Sequence, residues 1–363
     1  MPIRSLDIQK IRNLSALSLS PSSRINIIYG PNGSGKTSLL EALHFLGLTR
    51  SFRTSQFRYL VTSSERESVV FSEIDSAGTG KPSPLGVSRN VDGEVKIRYR
   101  GHTADISELA SLIPLQVINT DTFQLLEGSP DIRRQFIDWG AFHADPIFIQ
   151  LWRGFRRVLQ QRNSLLKCGK IDPVLRGIWD KEFIHYSEQL TNYRQAYIDQ
   201  LIPDFEAILH RLMGEIDVSL KFSAGWDRKL ALDELLDANL ERDLRQGFTS
   251  IGPQRADLKV KSDGVAAAER LSRGQKKLVV SALKLAQGAL FYRQSQRPCV
   301  YLIDDLPSEL DQHHSRLFCE FLEKTNNQCF ITCVDPEPLK ALWLPDTEIA
   351  YFKIEAGQLV ETQ

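Results

Sequence analysis

The residues best equipped for chemistry lie in one run of eight, Gly30, Pro31, Asn32, Gly33, Ser34, Gly35, Lys36 and Thr37. This is the pattern G-x-x-x-x-G-K-[ST]. Successive backbone N–H groups in such a loop form a concave nest for an anion, and glycine permits backbone geometry that a Cβ would obstruct. A following helix adds the partial positive charge of its N-terminus. Lys36 is placed to meet the β- and γ-phosphates of a nucleoside triphosphate. The Thr37 hydroxyl is a hard oxygen of the kind Mg²⁺ prefers. The plainer alternative is a glycine turn that merely caps a helix. The flanks argue against it, because an apolar run ending in Ile-Tyr precedes the loop and a Leu-rich helical pattern follows it.

A second run, CVYLIDDLPSELD from Cys299 to Asp311, carries two adjacent carboxylates at the end of an apolar strand. Asp304 is the expected Mg²⁺ ligand, directly or through water. Asp305 is the expected group to orient or deprotonate an attacking water. Alone, this is equally a strand followed by an acidic turn; beside a phosphate loop the catalytic reading gains. A third run, RLSRGQKK from Arg270 to Lys277, opens a strongly apolar helix. Ser272 there fits an ordinary N-cap. The order of phosphate loop, LSxGQ, apolar strand with Asp-Asp, and SELD resembles the ABC-type ATPases. That resemblance implies that Ser272, Gly274 and Gln275 contact the γ-phosphate held by a second subunit, that Ser308 to Asp311 is a D-loop, and that the chain forms a homodimer around two ATP molecules.

The elements that must position these groups are partly legible. Strands are expected at 3–8, 24–29, 69–75, 94–99 and 115–118, the last three in a mostly antiparallel sheet. Residues 76–86 read as a mobile loop. From about 130 to 213 apolar residues recur at helical spacing, with Pro146 and Pro173 where helices can begin and Pro203 a possible interruption of a final helix over 173–213. A strand at 217–222, an acidic helix at 232–246, a helix at about 274–292, strands at 299–303 and 328–333 and a terminal hairpin turning at Ala356-Gly357 complete the reading.

Composition narrows the partners. The 363 residues carry 45 Lys+Arg against 45 Asp+Glu, a net charge of zero. This excludes a chain that coats a polyanion with its whole surface, so binding to nucleic acid must come from a local patch. Between 131 and 170 eight basic residues (Arg133, Arg134, Arg153, Arg156, Arg157, Arg162, Lys167, Lys170) face three acids, a local net charge of +5. A smaller cluster, Arg50, Arg53 and Arg58, follows the phosphate-loop helix. Solvated faces paired with the acids at 233–243 explain these clusters equally well. Five scattered cysteines form no CxxC pair, the opening decapeptide has no apolar h-region, and the longest apolar stretch is broken by Lys284 and Gln287. Reduced thiols, a cytoplasmic setting and no membrane span are the expectation.

Lys36 and Ser272 lie 236 positions apart, with a helical insertion of about 80 residues between them. That is too long for a transporter subunit and too short for a cohesin-type rod. The chain resembles the RecF family of bacterial recombination mediators nearly end to end, through IQKIRNL, RSFRTSQF (50–57), EGSPDIRRQFID (127–138), GPQRADL (252–258) and SRGQKKLVVSALKLAQ (272–287). The implied fold is α/β: an ABC-type P-loop ATPase head, with a mixed sheet and an antiparallel β subdomain, formed by 1–122 and 248–363. A helical lobe with a short arm, 123–247, is inserted between phosphate loop and signature. The resemblance further implies ATP and Mg²⁺ as cofactors, Arg12 and Asn13 near the nucleotide, and ATP-dependent dimerisation. It also implies DNA binding at gaps or junctions, work with RecO and RecR in loading RecA, and a setting of DNA replication, repair and SOS induction. A structural, SMC-like DNA clamp is the alternative. Gln254 and Ala256 replace the family's usual His and acid. Asp305 replaces the usual ABC glutamate, and its shorter reach implies slow, DNA-stimulated hydrolysis serving as a switch. Asn119 to Asp121 stand near the Q-loop position, Thr332 or Cys333 near that of the switch histidine, and His313 and His314 read as helix surface.

Overall fold

The computed structural model describes residues 3–75, 81–168, 172–306 and 310–360. The chain divides into two compact units, one of residues 1–122 and 277–363, the other of 123–276.

The first unit holds two sheets of six strands each. Its elements in chain order are β1 (Ile3–Ile11), β2 (Leu14–Leu19), β3 (Ile25–Tyr29), α1 (Lys36–Leu48), β4 (Glu67–Asp75), β5 (Pro82–Asn90), β6 (Val95–Tyr99), β7 (His102–Thr103), α2 (Ile106–Leu112) and β8 (Leu115–Ile118). One sheet is antiparallel, with order β2-β1-β4-β5-β6-β7. Its strands alternate buried and exposed residues, as in β4, the pattern of a sheet with one face on the core. Residues 82–86, expected in a mobile loop, belong instead to β5, which pairs with β4 from Asp75↔Pro82 to Glu67↔Asn90. The rest of that expected loop, 76–80, lies outside the described residues.

The second unit contains α3 (Gln124–Glu127), α4 (Pro130–Ala144), α5 (Ile147–Lys167), α6 (Pro173–Met213), β9 (Val218–Ser223), α7 (Leu232–Ala238), α8 (Leu240–Gln246), β10 (Asp257–Ser262), β11 (Val265–Ala266) and α9 (Ala267–Arg270). Pro173 stands at the first helical position of α6, and the Asp172 side chain accepts from Val174 N–H at 2.8 Å. A proline there gives up an N–H that has no intrahelical partner anyway. Pro203 does not end α6, which runs 41 residues, roughly 60 Å at about 1.5 Å per residue. α5 buries Phe148, Leu151, Phe155, Val158, Arg162 and Leu166 at spacings of three and four. The buried Arg162 guanidinium meets Asp180 at 2.7 Å, Asp243 at 3.1 Å and the Thr249 hydroxyl at 2.7 Å. The acidic helix expected over 232–246 is two helices that meet at Asn239. Residues 248–276 fall in this unit rather than with 277–363, where they were expected. The cause is strand pairing: β10 pairs along its length with β9, from Asp257↔Ser223 to Ser262↔Val218. Arg133 also forks onto Asp257.

The chain continues through α10 (Arg273–Ser295), β12 (Val300–Ile303), α11 (Gln312–Lys324), β13 (Gln328–Cys333), α12 (Glu337–Lys340), β14 (Ile349–Glu355) and β15 (Gln358–Val360). The sheet these strands complete has order β15-β14-β3-β13-β12-β8, all neighbours parallel except β15 on β14. β8 is therefore in this sheet and not in the antiparallel one that its sequence suggested. β12 and β13 are buried at every residue, as strands covered on both faces must be. α1 is buried over Ser38–Gly47. Its leucines and Phe45 join Ile3, Leu6 and Ile8 of one sheet and Val300, Leu302 and Phe330 of the other in one core. Among the described residues no helix is long and apolar enough to cross a membrane.

His44 sits inside this core at 5% exposure. Its Nδ1 lies 2.7 Å from the Arg50 carbonyl oxygen, and its ring stands edge-on to Phe52 at 5.4 Å. Burial pushes the imidazole down to about 4. As pH falls below about 6.5 the unfolded chain takes up this proton before the folded one does, so stability drops. Urea denaturation should show a loss of about 2 kcal/mol between pH 7 and pH 5 from this residue, and His44→Gln should flatten that part of the profile.

Candidate functional site

Because β3, β12, β13 and β8 run parallel, their C-terminal ends lie on one edge of the sheet. Ile27 faces Ile331, and Ile303 faces both Ile331 and Ile118. Ligands of open α/β sheets bind at this edge. The loop Gly30–Lys36 leaves β3 here, Asp304 and Asp305 leave β12, Thr332 lies at the end of β13 and Asn119 follows β8.

Two glycines of the loop are sterically obligatory. A Cβ on Gly30 would lie 2.2 Å from the Ile354 carbonyl oxygen, and φ there is +149°. Gly35 caps α1 at φ +117° with no side-chain hydrogen bond, and no acid occupies the first turn of the helix. The end of α1 is thus electropositive and uncapped, as an anion site requires. The loop is held from outside: Gly357 N–H donates to the Ser34 carbonyl at 2.8 Å. The Asn13 amide donates to Gly33 O at 3.3 Å, and Asn13 Oδ1 accepts from the Ser38 hydroxyl at 2.8 Å. Lys36 Nζ rests on the carbonyl oxygens of Gly30 and Pro31 at 2.8 and 2.9 Å, where phosphate oxygens would compete for it.

The Thr37 hydroxyl lies 3.0 and 3.1 Å from the two Asp304 carboxylate oxygens. Asp304 Oδ1 also accepts from the Thr332 hydroxyl at 2.7 Å, and that hydroxyl oxygen accepts from Asp305 N–H at 2.8 Å. Asp305 takes a left-handed φ of +56°, costly for a non-glycine residue and a recurrent feature of active sites. Thr332, at 1% exposure, therefore fixes both acids. Thr37 and Asp304 are hard oxygens side by side, which fits Mg²⁺ held by one hydroxyl, one carboxylate, phosphate and water. Among the described residues no cluster of three or more His, Cys, Asp or Glu forms a dedicated metal cage.

Other expected residues have visible structural partners. Arg12 forks onto the buried Glu41 at 2.8 and 2.9 Å. Ser272 N–H donates to Gln275 Oε1 at 2.9 Å, while Gln275 N–H donates to Ser272 Oγ at 3.3 Å, a reciprocal capping box at the start of α10. Gly274 is exposed, and a Cβ there would meet nothing within 4 Å. Asp311 caps α11 through His314 N–H at 3.0 Å, and its second oxygen contacts the His314 ring. These bonds hold the Asp311 carboxyl below the usual carboxylate range. The neighbouring Ser308 and Glu309 lie outside the described residues. Gln254 donates to the Thr249 and Ile251 carbonyls, and Ala256 is fully buried. Glu41 escaped sequence reasoning. Its signal was present, since a lone acid in an apolar helix needs a buried cation.

The fold and this site define a P-loop ATPase head of the ABC and SMC type. The chain matches the model of the RecF/RecN/SMC N-terminal domain over residues 2–356. It is 47% identical over 363 residues to the DNA replication and repair protein RecF of Azotobacter vinelandii, covering all of this chain and 99% of that one. Against the protein of the same name in Pseudomonas aeruginosa (strain LESB58) it is also 47% identical, covering 98% of it. A solved structure of the recombination mediator protein RecF with ATPrS, in the RecFOR pathway, superposes with a TM-score of 0.84 at 25% identity over 98% of this chain and 97% of that one. An SMC head bound to ScpA matches in fold alone, with a TM-score of 0.59 at 15% identity over 99% of this chain and 97% of the other. The chain belongs to the RecF family of DNA replication and repair proteins.

Thr332→Val keeps the shape of the buried side chain but removes the acceptor of Asp305 N–H and one of the two hydroxyls on Asp304 Oδ1, which keeps only Thr37. It should cost about 1–3 kcal/mol in chemical denaturation, and Thr332→Ser should recover most of that loss.

Proposed function

We propose that the chain is an ATP-dependent DNA-binding protein of recombinational repair, whose ATP-bound homodimer engages single-strand gaps or junctions and works with RecO and RecR to load RecA. Its setting is the cytoplasm, in DNA replication, repair and SOS induction. The observation that carries this reading is the phosphate loop set against Asp304 in a chain so similar to RecF proteins. In this reading Gly30 to Thr37 cradle the triphosphate, Lys36 neutralises its β- and γ-oxygens, and Thr37 and Asp304 hold Mg²⁺. Asp305 orients or deprotonates the attacking water, and its short side chain makes hydrolysis slow. Ser272, Gly274 and Gln275 would turn from their cap toward the γ-phosphate held by the partner subunit, and Asp311 lies in the adjoining D-loop. ATP then acts as removable glue, because both halves contact the γ-phosphate.

The DNA surface proposed is the outer face of α5. Arg133, Arg134 and Arg162, counted among the basic residues of the sequence, are tied to Asp257, to Asp131 and the Ala256 carbonyl, and to Asp180 and Asp243. The outer face of α5 carries a stripe of Arg153, Arg157, Gln160, Ser164 and Lys167, all exposed, with Arg156 beside it stacked on Trp152 at 5.0 Å. α5 contains no Asp or Glu. The stripe spans about 21 Å, roughly six base pairs of rise.

In sedimentation, wild type should dimerise with ATP, while Lys36→Ala stays monomeric. Ser272→Arg should bind ATP yet fail to dimerise; loss of ATP binding by its monomer would refute the action across the dimer. Replacing Arg153 and Arg157 together by Ala should weaken DNA binding and reduce the slope of log K against log salt by about 2. An unchanged slope would move the DNA surface elsewhere.

A further inference from the structure

Glu41 is the one acid of α1 and is fully buried. Two guanidinium groups converge on it. Arg12 makes the bidentate contact described above, and Arg53 Nη1 stands 3.6 Å from Oε2. The Ser51 hydroxyl also bonds to Oε1. One carboxylate therefore serves two cations, one firmly and one loosely. A buried carboxylate stripped of its partner is strongly destabilising, whereas exchange of one partner for another is not. Arg12 is 24% and Arg53 50% exposed at the side chain, so both have room to move.

The Arg12 backbone is fixed. Its φ is +54°, its N–H donates to Leu60 O at 2.7 Å, and its carbonyl accepts from the Thr62 hydroxyl at 2.9 Å. Its neighbour Asn13 touches the phosphate loop at Gly33. Glu41 follows Thr37 by four residues on α1, about one turn or 5.4 Å along the helix. The Arg12 guanidinium thus lies one turn below the loop in which phosphate oxygens would sit.

We propose that Arg12, Glu41 and Arg53 form an arginine exchange that sets the affinity of the nucleotide site. The triphosphate draws Arg12 away from Glu41, and Arg53 closes on the carboxylate that Arg12 leaves. The exchange couples the segment Ser51–Arg53 to nucleotide occupancy, and it makes Arg53 a positioning residue that acts without touching the nucleotide. It rests on the nucleotide-binding reading given under the proposed function.

The test is calorimetric titration of the full-length chain with MgATP. Arg53→Ala leaves Glu41 dependent on Arg12 and should weaken MgATP binding about tenfold. Arg53→Lys should recover most of that loss. Glu41→Gln removes the competition, so adding Arg53→Ala in that background should change affinity less than about twofold. Unchanged affinity in Arg53→Ala alone, which alters a half-exposed side chain and does not depend on Glu41→Gln folding, would overturn the exchange. So would an equal loss in both backgrounds, since Arg53 would then act on the nucleotide directly. A wild-type chain that binds no MgATP would instead sink the nucleotide reading itself.

Discussion

The molecule depends most on a half-buried carboxylate at a strand end. Asp304 is the point at which three otherwise separate segments meet: the helix that carries the phosphate loop, through Thr37; the strand that carries Asp304 itself; and the neighbouring strand, through Thr332. A carboxylate there would be costly if left alone. Two hydroxyls satisfy it, and a backbone bond from its own N–H to the Ile118 carbonyl, 2.9 Å long, holds it to β8. The arrangement needs parallel strands, because only then do their ends arrive on the same edge. It also needs those strands buried on both faces, as β12 and β13 are at every residue.

Short motifs were more legible than the architecture. The phosphate loop and the Asp pair stand out in the sequence because each needs particular residue types at fixed short spacing, and the structure brings Thr37 and Asp304 together. The assignment of strands to sheets does not stand out. LQVI at 115–118 has the same local appearance whether it pairs with an antiparallel meander or with β12, and only the pairing partner, about 185 residues away, decides. Residues 82–86 were lost to the loop reading because Pro82, Pro84 and Gly86 are turn formers, yet cross-strand pairing with β4 overrides that preference. Pro203 misled in the same direction: the surrounding packing sustains α6 through a residue that cannot donate its hydrogen bond.

Charge counting along the chain had a different weakness. A net charge of +5 over 131–170 treats every arginine as available. Arg133, Arg134 and Arg162 are used up by Asp257, Asp131, Asp180 and Asp243, and of these only Asp131 lies within the counted segment. Sequence separation conceals such pairs. Glu41 is the mirror case, an acid whose cations come from before and after α1, with no motif to announce the contact.

The hairpin of β14 and β15 has a consequence for how the chain is made. Gly30 packs against Ile354, Ser34 is tied to Gly357, and β3 lies between β13 and β14. One wall of the phosphate loop is thus supplied by residues translated roughly 300 positions after it. At about 5–20 residues per second, the loop waits on the order of a quarter of a minute to a minute on the ribosome before its last wall emerges. Through that interval β3 and α1 are apolar segments without their final partners. A nascent chain can therefore assemble its antiparallel sheet early, but gains a finished nucleotide site only when synthesis has passed the hairpin, and a chain cut short before it carries the motif without the pocket.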